Sequence, residues 1–378
     1  MTSLQQLADI AGARIVNPPS SDAPVAFVGL DSQNVEPGGL FAALPGTRVH
    51  GATYAFDSAA GAILTDEAGL AIIQQTADRR PVLVVDDVRA SLGHVAAEVY
   101  GQPSQSFTLL GVTGTSGKTT TTYMLEKGLT AAGCKVGLIG TTGTKIMGRD
   151  VATELTTPEA PMLQRLFAQM RDEGVTHVVM EVSSHALMLG RVTGSDFDVA
   201  AFTNLSQDHL DFHPTMEDYF QAKALFFEPG SEMRAKRSVV CVDDEWGQRM
   251  AELAEAPVTV ATTGDADVTA ELVRIDDQGR QRIQLTADDT YEFTLPMPGA
   301  FNVANAALAA AVATTAGVEL APFLHGLEQA AVPGRMERID EGQPFVAVVD
   351  YAHKPAAIGA VLATPVSYTH LTLPTKRI

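Results

Sequence analysis

The sequence predicts an α/β protein. A mixed α/β N-terminal domain spans residues 1–105, a central domain built on a mostly parallel sheet spans 106–330, and a third α/β domain opens over 331–378. Three observations predict this. Short apolar runs of strand length alternate with helical stretches along most of the chain, as in parallel sheets whose crossovers are helices. The polar, turn-forming run Gly101-Gln102-Pro103-Ser104-Gln105-Ser106 separates a first set of such units from a longer second set. At 378 residues the chain can bury two full cores and part of a third.

In the first domain Ala26–Leu30, Gly39–Ala43, Ala62–Leu64 and Val82–Val85 read as strands, with alanine-rich helical stretches between them. From Phe107 the alternation becomes regular. Strand Phe107–Val112 leads to helix Gly117–Ala132, strand Lys135–Ile139 to helix Pro161–Asp172, and strands His177–Glu181 and Val199–Thr203 to helix Met216–Phe227. Val239–Val242 is a further strand. Arg274–Leu295 alternates apolar and polar residues around Asp277-Gln278-Gly279, which predicts antiparallel hairpins. Ala300–Thr315 is an alanine-rich, closely packing helix. Pro344–Asp350 reads as a strand, Tyr351–Pro355 as a turn and Ala356–Leu362 as the start of a helix, after which the composition changes abruptly from Thr364. One strand and one helix cannot bury an independent core, so the third domain is expected to be truncated, with an atypical tail.

Composition narrows the function classes. A formal charge of −19 argues against non-specific nucleic-acid binding, which needs a basic surface. It leaves room for an anionic nucleotide, because backbone dipoles and a few cations can hold phosphates on an acidic protein. Apolar runs such as Val178–Val182 fall far short of the roughly 20 residues of a membrane helix. The start Met-Thr-Ser-Leu-Gln-Gln carries no basic segment followed by an apolar core, so no secretion signal is expected. Cys134 and Cys241 each lie beside strand-like apolar residues and read as buried free thiols rather than a disulfide framework. A cytoplasmic monomer is expected.

Chemistry concentrates at strand ends. Gly111-Val112-Thr113-Gly114-Thr115-Ser116-Gly117-Lys118-Thr119-Thr120 joins a strand to a helix, the setting of a phosphate cradle. Lys118 is expected at the β- and γ-phosphates and the Thr119 hydroxyl on Mg²⁺. The usual motif has four residues between its glycines; here five separate Gly111 from Gly117, Val112 holds the place of the first glycine, and Gly114 is expected to supply the turn. Glu181 ends an apolar strand, where a carboxylate can reach a hard cation. Alone it would read as an exposed Glu. Asp208-His209-Leu210-Asp211 follows the next strand, making His209 a metal-ligand candidate oriented by Asp208 or Asp211. Lys223 lies in an apolar, aromatic helix, an expensive place for an ammonium unless its amine snorkels to water.

Taken together, Thr-Gly-Thr-Ser-Gly-Lys-Thr-Thr (113–120), Glu-Val-Ser-Ser-His-Ala-Leu (181–187), Thr-Asn-Leu-Ser-Gln-Asp-His-Leu-Asp-Phe-His (203–213) and Ala-Lys (222–223) resemble, in order and spacing, the Mur ligase family. Gly299–Asn305, Gly334–Glu337 and Asp350–Pro355 continue the match, and the resemblance runs from roughly residue 25 to 364. It is greatest to the branch that adds a diamino acid, meso-diaminopimelate or L-lysine, to UDP-MurNAc-L-Ala-D-Glu. The composition leans toward diaminopimelate. The resemblance implies a UDP-binding N-terminal domain, a central ATPase domain and a Rossmann-like third domain. It implies catalytic roles for Lys118, Glu181, His209 and Lys223, with Lys223 carbamylated, and Mg²⁺ held by Thr119, Glu181, His209 and Lys223. ATP would contact Gly114, Thr115, Ser116, Gly117, Lys118, Thr119, Thr120, Asn302 (adenine end), Arg335 (γ-phosphate) and Asp350 (ribose). Leu30 and Ser32 would form the uridine turn, with Thr47, Arg48 and Val49 on a second loop. Thr156, Thr157, Ser183 and Arg191 would hold the muramyl-peptide and diphosphate. Leu189 stands where the family commonly has glutamine, removing one polar substrate contact.

The implied reaction passes through an acyl phosphate on the D-Glu carboxylate, attacked by the diamino acid's amine. Other readings are another Mur ligase adding D-Glu or D-Ala-D-Ala, a folylpolyglutamate-synthetase-like enzyme, a phosphate-loop switch without ligase chemistry, and a nucleotide-binding fragment without turnover. The uridine-like Asp31-Ser32 turn and the 181–187 run favour the UDP-muramyl branch. Turnover by this chain is expected to be impaired by the truncation.

Overall fold

The computed structural model describes residues 2–20, 24–276, 279–339, 341–343, 347–352 and 355–362. The Asp277-Gln278 turn, the first part of the Pro344–Asp350 strand, His353-Lys354 and the tail after Leu362 lie outside the described residues.

The first sheet has five strands in the order Arg14–Val16, Val82–Val84, Ala62–Thr65, Leu40–Ala42, Val28–Gly29. Only Arg14–Val16 runs antiparallel to its neighbour. Ala62–Thr65 is buried at every position, as expected for a strand covered on both faces. One face packs Leu40, Leu64 and Leu83 against helices Leu4–Ala11 and Val88–Val99 through Leu7, Val95 and Ala96. The other packs Phe41, Ile63 and Val82 with Ile73 of helix Glu67–Gln74.

The second sheet has eleven strands, and its parallel run reads Val136–Gly140, His177–Glu181, Thr108–Thr113, Val199–Phe202, Arg237–Cys241, Val258–Ala261, Val268–Ile275. Antiparallel hairpins finish both edges: Gly143–Ile146 with Arg149–Val151, and Gln281–Thr286 with Thr290–Leu295. Helices Lys118–Ala131, Ala300–Thr315 and Leu320–Leu327 cover one face, and Ala160–Asp172, Met216–Ala224 and Glu245–Leu253 the other. Glu337–Ile339 and Ala347–Val349 form a separate two-stranded ribbon.

Several boundaries differ from the sequence reading for identifiable reasons. The strand expected from Arg274 begins at Val268; its second half is exposed at successive positions, so it shows no alternation to read. Val258–Ala261 is four residues long, too short to announce itself. The helix expected to reach Phe227 stops at Ala224, because turns from Phe226 N–H to the Lys223 carbonyl and Phe227 N–H to the Ala224 carbonyl redirect both rings inward. Phe226 packs edge-on to Phe197 at 4.8 Å and Phe227 to Phe202 at 6.1 Å.

Candidate functional site

Parallel neighbours end at the same edge of a sheet, and ligands of α/β proteins sit there. In the second sheet the loops after Thr108–Thr113, Val136–Gly140, His177–Glu181, Val199–Phe202 and Arg237–Cys241 open together into one cavity of about 810 Å³. Its lining includes Thr115–Thr120, Thr156, Thr157, Glu181, Ser183, Arg191, His209, Asn302, Arg335 and Asp350.

The loop from Gly114 to Gly117 is held by the next strand end. Thr115 N–H donates to the Asn204 carbonyl (2.9 Å), Ser116 N–H to Asn204 Oδ1 (3.0 Å), and Thr203 Oγ1 to the Ser116 carbonyl (2.7 Å). Gly114 has φ +140° and Gly117 φ +90°, and a Cβ on Gly114 would lie 1.9 Å from Thr203 Oγ1. Both positions therefore require glycine. Val112 is fully buried in the strand, which explains why no glycine is needed there. Lys118 Nζ turns back to donate to the carbonyls of Gly114 (2.9 Å) and Thr115 (3.0 Å), closing a ring around the space a phosphate would fill.

Behind this loop lies Lys223, 1% exposed, with Nζ 3.1 Å from the Gly114 carbonyl and 4.6 Å from the centre of the Tyr219 ring. It does not line the cavity; it touches the back of the loop that does. Burial pushes the Tyr219 phenol well above its ordinary range, so it remains neutral, and its oxygen accepts from Thr115 Oγ1 at 3.2 Å. Glu181, 1% exposed, accepts from Thr141 N–H (2.8 Å) and Thr141 Oγ1 (3.1 Å). His209 has a left-handed backbone (φ 52°), and its Nε2 lies 2.9 Å from Asp208 Oδ2, so Asp208 rather than Asp211 is the neighbour that holds it. The His185 ring stacks on Phe212 at 4.0 Å and meets His209 edge-on at 4.9 Å. Burial holds the His185 imidazole below its ordinary value, although the neighbouring Asp211 carboxylate pulls the other way.

Among the described residues no three His, Cys, Asp or Glu side chains assemble into a ready cation cage. The donors that are present, the Thr119 hydroxyl and a Glu181 carboxylate whose oxygens keep spare lone pairs, are hard oxygens. They suit Mg²⁺, which takes few protein ligands and completes its shell with phosphates and water.

Another wall carries Thr156, Thr157, Ser183 and Arg191. Thr157 Oγ1 donates to the Glu181 carbonyl (2.8 Å) and accepts from Ser183 N–H (3.2 Å), tying the two segments together. Opposite the loop, Asn302 is fully buried, donating from Nδ2 to the Pro298 carbonyl (2.7 Å), and Arg335 Nη2 reaches Thr119 Oγ1 at 3.4 Å while its guanidinium lies 4.8 Å from the Tyr351 ring. Asp350 accepts from the N–H groups of Met336 and Ala352, each at 2.7 Å.

Leu30, Ser32, Thr47, Arg48 and Val49 do not line this cavity. They follow Val28–Gly29 and Leu40–Ala42, neighbouring parallel strands of the first sheet, so both loops reach one edge of that sheet. Asp31 accepts from Gln33 N–H (3.0 Å) and Asn34 Nδ2 (2.6 Å), forming the turn that contains Ser32. Sequence reasoning gave no role to Thr141, Asn204 or Asn305, the last lining the cavity where a Cβ on Gly117 would lie 2.5 Å from its Oδ1. Asn204 and Asn305 lie inside the family runs quoted above but are ordinary polar residues in isolation; Thr141, in a Gly-Thr-Thr-Gly turn, carried no signal.

Comparison with known proteins adds an independent line. The Mur ligase middle domain matches residues 112–313, and the Mur ligase family catalytic domain matches residues 24–100. A protein of Corynebacterium glutamicum named UDP-N-acetylmuramoyl-L-alanyl-D-glutamate–2,6-diaminopimelate ligase is 62% identical over 347 residues, covering 90% of this chain and 67% of its own length. The protein of the same name from Corynebacterium efficiens is 60% identical over 369 residues, covering 96% of this chain and 70% of its own. A solved structure of a ligase with that name superposes with a TM-score of 0.78 at 30% identity, covering 96% of this chain and 74% of the other.

Proposed function

The chain belongs to the Mur ligase family, and from that premise we propose that it joins 2,6-diaminopimelate to the D-Glu carboxylate of UDP-MurNAc-L-Ala-D-Glu, converting ATP to ADP and phosphate. The observation that carries this reading is that the phosphate loop and the Thr156–Arg191 wall open into one cavity, so a triphosphate and an anionic substrate can meet there. We place the reaction in the cytoplasm; no helix among the described residues is long and apolar enough to cross a membrane.

A carboxylate is a poor electrophile. One of its oxygens attacks the γ-phosphorus, the bond to the β,γ-bridging oxygen breaks, and ADP leaves an acyl phosphate. The amine of the diamino acid then attacks the acyl carbon, loses a proton and expels phosphate. The obstacle is repulsion: like charges 4 Å apart cost about 4 kcal/mol at an effective dielectric of 20. Lys118 and Arg335 stand against this at the phosphates, with the N–H groups of residues 117–120 at the N-terminus of helix Lys118–Ala131. Asn302 and Asp350 take the base and ribose. Thr156, Thr157, Ser183 and Arg191 seat the muramyl-peptide and diphosphate, while Leu30, Ser32 and Thr47, Arg48, Val49 seat the uridine.

Thr119, Glu181 and His209 of the cavity wall would hold Mg²⁺, which supplies neutralisation of the phosphate charge when bound, and Lys223, behind the loop, would reach it only with its amine extended by a carboxylate. Lys223 can serve only as an anion, so we assign it as a carbamate: the neutral amine adds to CO₂, one N–H proton is released, and the remaining N–H still donates to the Gly114 carbonyl. At 1% exposure that change exchanges a buried ammonium for a buried carboxylate, whose charge a bound cation would offset.

Product analysis tests the reading. ADP release should require UDP-MurNAc-L-Ala-D-Glu and diaminopimelate together, with an amide product of matching mass. Stimulation by a folate, or nucleotide hydrolysis indifferent to any UDP substrate, would overturn it.

A further inference from the structure

Arg191 does not face the cavity by itself. Its Nε lies 2.9 Å from Glu159 Oε1, and its Nη1 donates to the Thr157 carbonyl at 3.2 Å. The Glu159 contact is off the N–H axis, leaving the buried Nε hydrogen without a directed acceptor. The second oxygen of Glu159 lies 3.4 Å from Arg89 Nη1, which also donates to the Leu189 carbonyl at 3.4 Å. Arg89 belongs to helix Val88–Val99, in the unit built on the first sheet, whereas Glu159 and Arg191 belong to the second. The two units meet beside this point, where Gly93 and Gly194 face each other so closely that a Cβ on Gly194 would lie 2.5 Å from the Gly93 carbonyl oxygen.

The charge arithmetic gives the triad a purpose. A carboxylate paired only with Arg191 would cancel the charge that an anionic substrate needs. Shared between two guanidinium groups, it leaves the cluster with a net charge of +1 while still fixing Arg191. We propose that Arg89 and Glu159 are positioning residues for the UDP substrate: Glu159 aims Arg191, and Arg89 draws off part of the Glu159 charge so that Arg191 stays attractive to the substrate's anionic diphosphate. This rests on the reading above that Arg191 contacts that substrate. It adds that the substrate's anion site depends on a residue contributed by the other unit, and so on the seating of the two units against each other.

The test is calorimetric binding of UDP-MurNAc-L-Ala-D-Glu to the whole chain and its variants, with ATP binding and thermal stability as controls. Arg89→Gln should weaken UDP-substrate binding about tenfold, the scale of one charge-assisted contact, and leave ATP binding unchanged. Arg89→Lys should recover most of the loss. The double variant Arg89→Gln with Glu159→Gln should bind more tightly than Arg89→Gln alone, because the uncompensated carboxylate is gone; a purely structural role would make it bind worse. A double variant weaker than the single one, or Arg89→Gln with native affinity, overturns the inference. Arg191→Ala separates the two levels: native affinity there would remove the underlying reading of Arg191, while lost affinity with silent Arg89 variants would remove only the present inference. Should Arg89→Gln fail to fold, Arg89→Lys against Glu159→Asp carries the comparison.

Discussion

At the residue scale, the site depends on positions with no tolerance for change. Gly114 is the clearest. Alanine there would place its Cβ 1.9 Å from Thr203 Oγ1 on a backbone at φ +140°. The loop must open, costing about 1–3 kcal/mol, and Lys118 loses one of its two carbonyl acceptors on this loop. Gly114→Ala should lower the melting temperature modestly and remove nucleotide binding; native ATP affinity by calorimetry would contradict the cradle. Lys223 gives a second prediction. If it is a carbamate, intact-protein mass spectrometry under native conditions should show one added CO₂ that acid removes, and Lys223→Ala should lose turnover while keeping UDP-substrate binding. A Lys223→Ala variant with native turnover would refute the assignment. Much of this was legible in the sequence, because glycine, lysine and hydroxyl residues at a strand-to-helix junction have few other uses. Thr141 was not: its value lies in holding both oxygens of Glu181 across neighbouring strands, a pairing that exists only after the sheet forms.

At the element scale, the loops of the first unit are pinned by a single cation. The Arg80 guanidinium donates to the carbonyls of Ala55 (2.5 Å), Ser58 (2.9 Å) and Ala60 (2.7 Å), and meets Asp78 through Nε at 3.0 Å. The Arg80 hydrogen bond holds the Asp78 carboxyl below its ordinary value of 3.8 even though burial pushes the other way. A carboxylate with a depressed folded-state pKa adds stability that is present above its unfolded value and lost as pH falls through the folded one. Asp78→Asn should therefore be less stable than the parent at pH 7, and the gap should close below about pH 4. A constant gap in urea melts across that range would refute the linkage. Arg80→Met should cost about 3 kcal/mol by stranding the carbonyls and Asp78. Strands such as His177–Glu181 and helix Ala300–Thr315 were readable from periodicity to the residue. Val268–Ile275 was not, because its outer half faces solvent on both sides and lacks a pattern.

At the scale of the whole molecule, the cavity is assembled from segments far apart in sequence, and its walls have different supports. The phosphate loop, helix Ala300–Thr315 and the segment around Arg335 form one wall; residues 156–157 and 181–191 form another, braced by Arg89 from the first unit. The sequence reading expects the strand-end loops to meet at one edge, but does not say which strands are neighbours. That follows from sheet order, since the strands ending at Thr113 and Glu181 are adjacent although Val136–Gly140 lies between them in the chain. Separate supports predict separable losses. Arg335 meets Thr119 Oγ1 at 3.4 Å and leans on the Tyr351 ring, contacts separate from those that Arg191 makes with Glu159 and Thr157. Arg335→Ala should therefore weaken ATP binding about tenfold, as expected for loss of one guanidinium at a phosphate, and leave the affinity for UDP-MurNAc-L-Ala-D-Glu within about twofold of the parent, as for sites that share no partner. Arg191→Ala should show the reverse. If either variant lowered both affinities equally, the two walls would be one energetic unit, and placing ATP at the Arg335 wall and the UDP substrate at the Arg191 wall would be wrong.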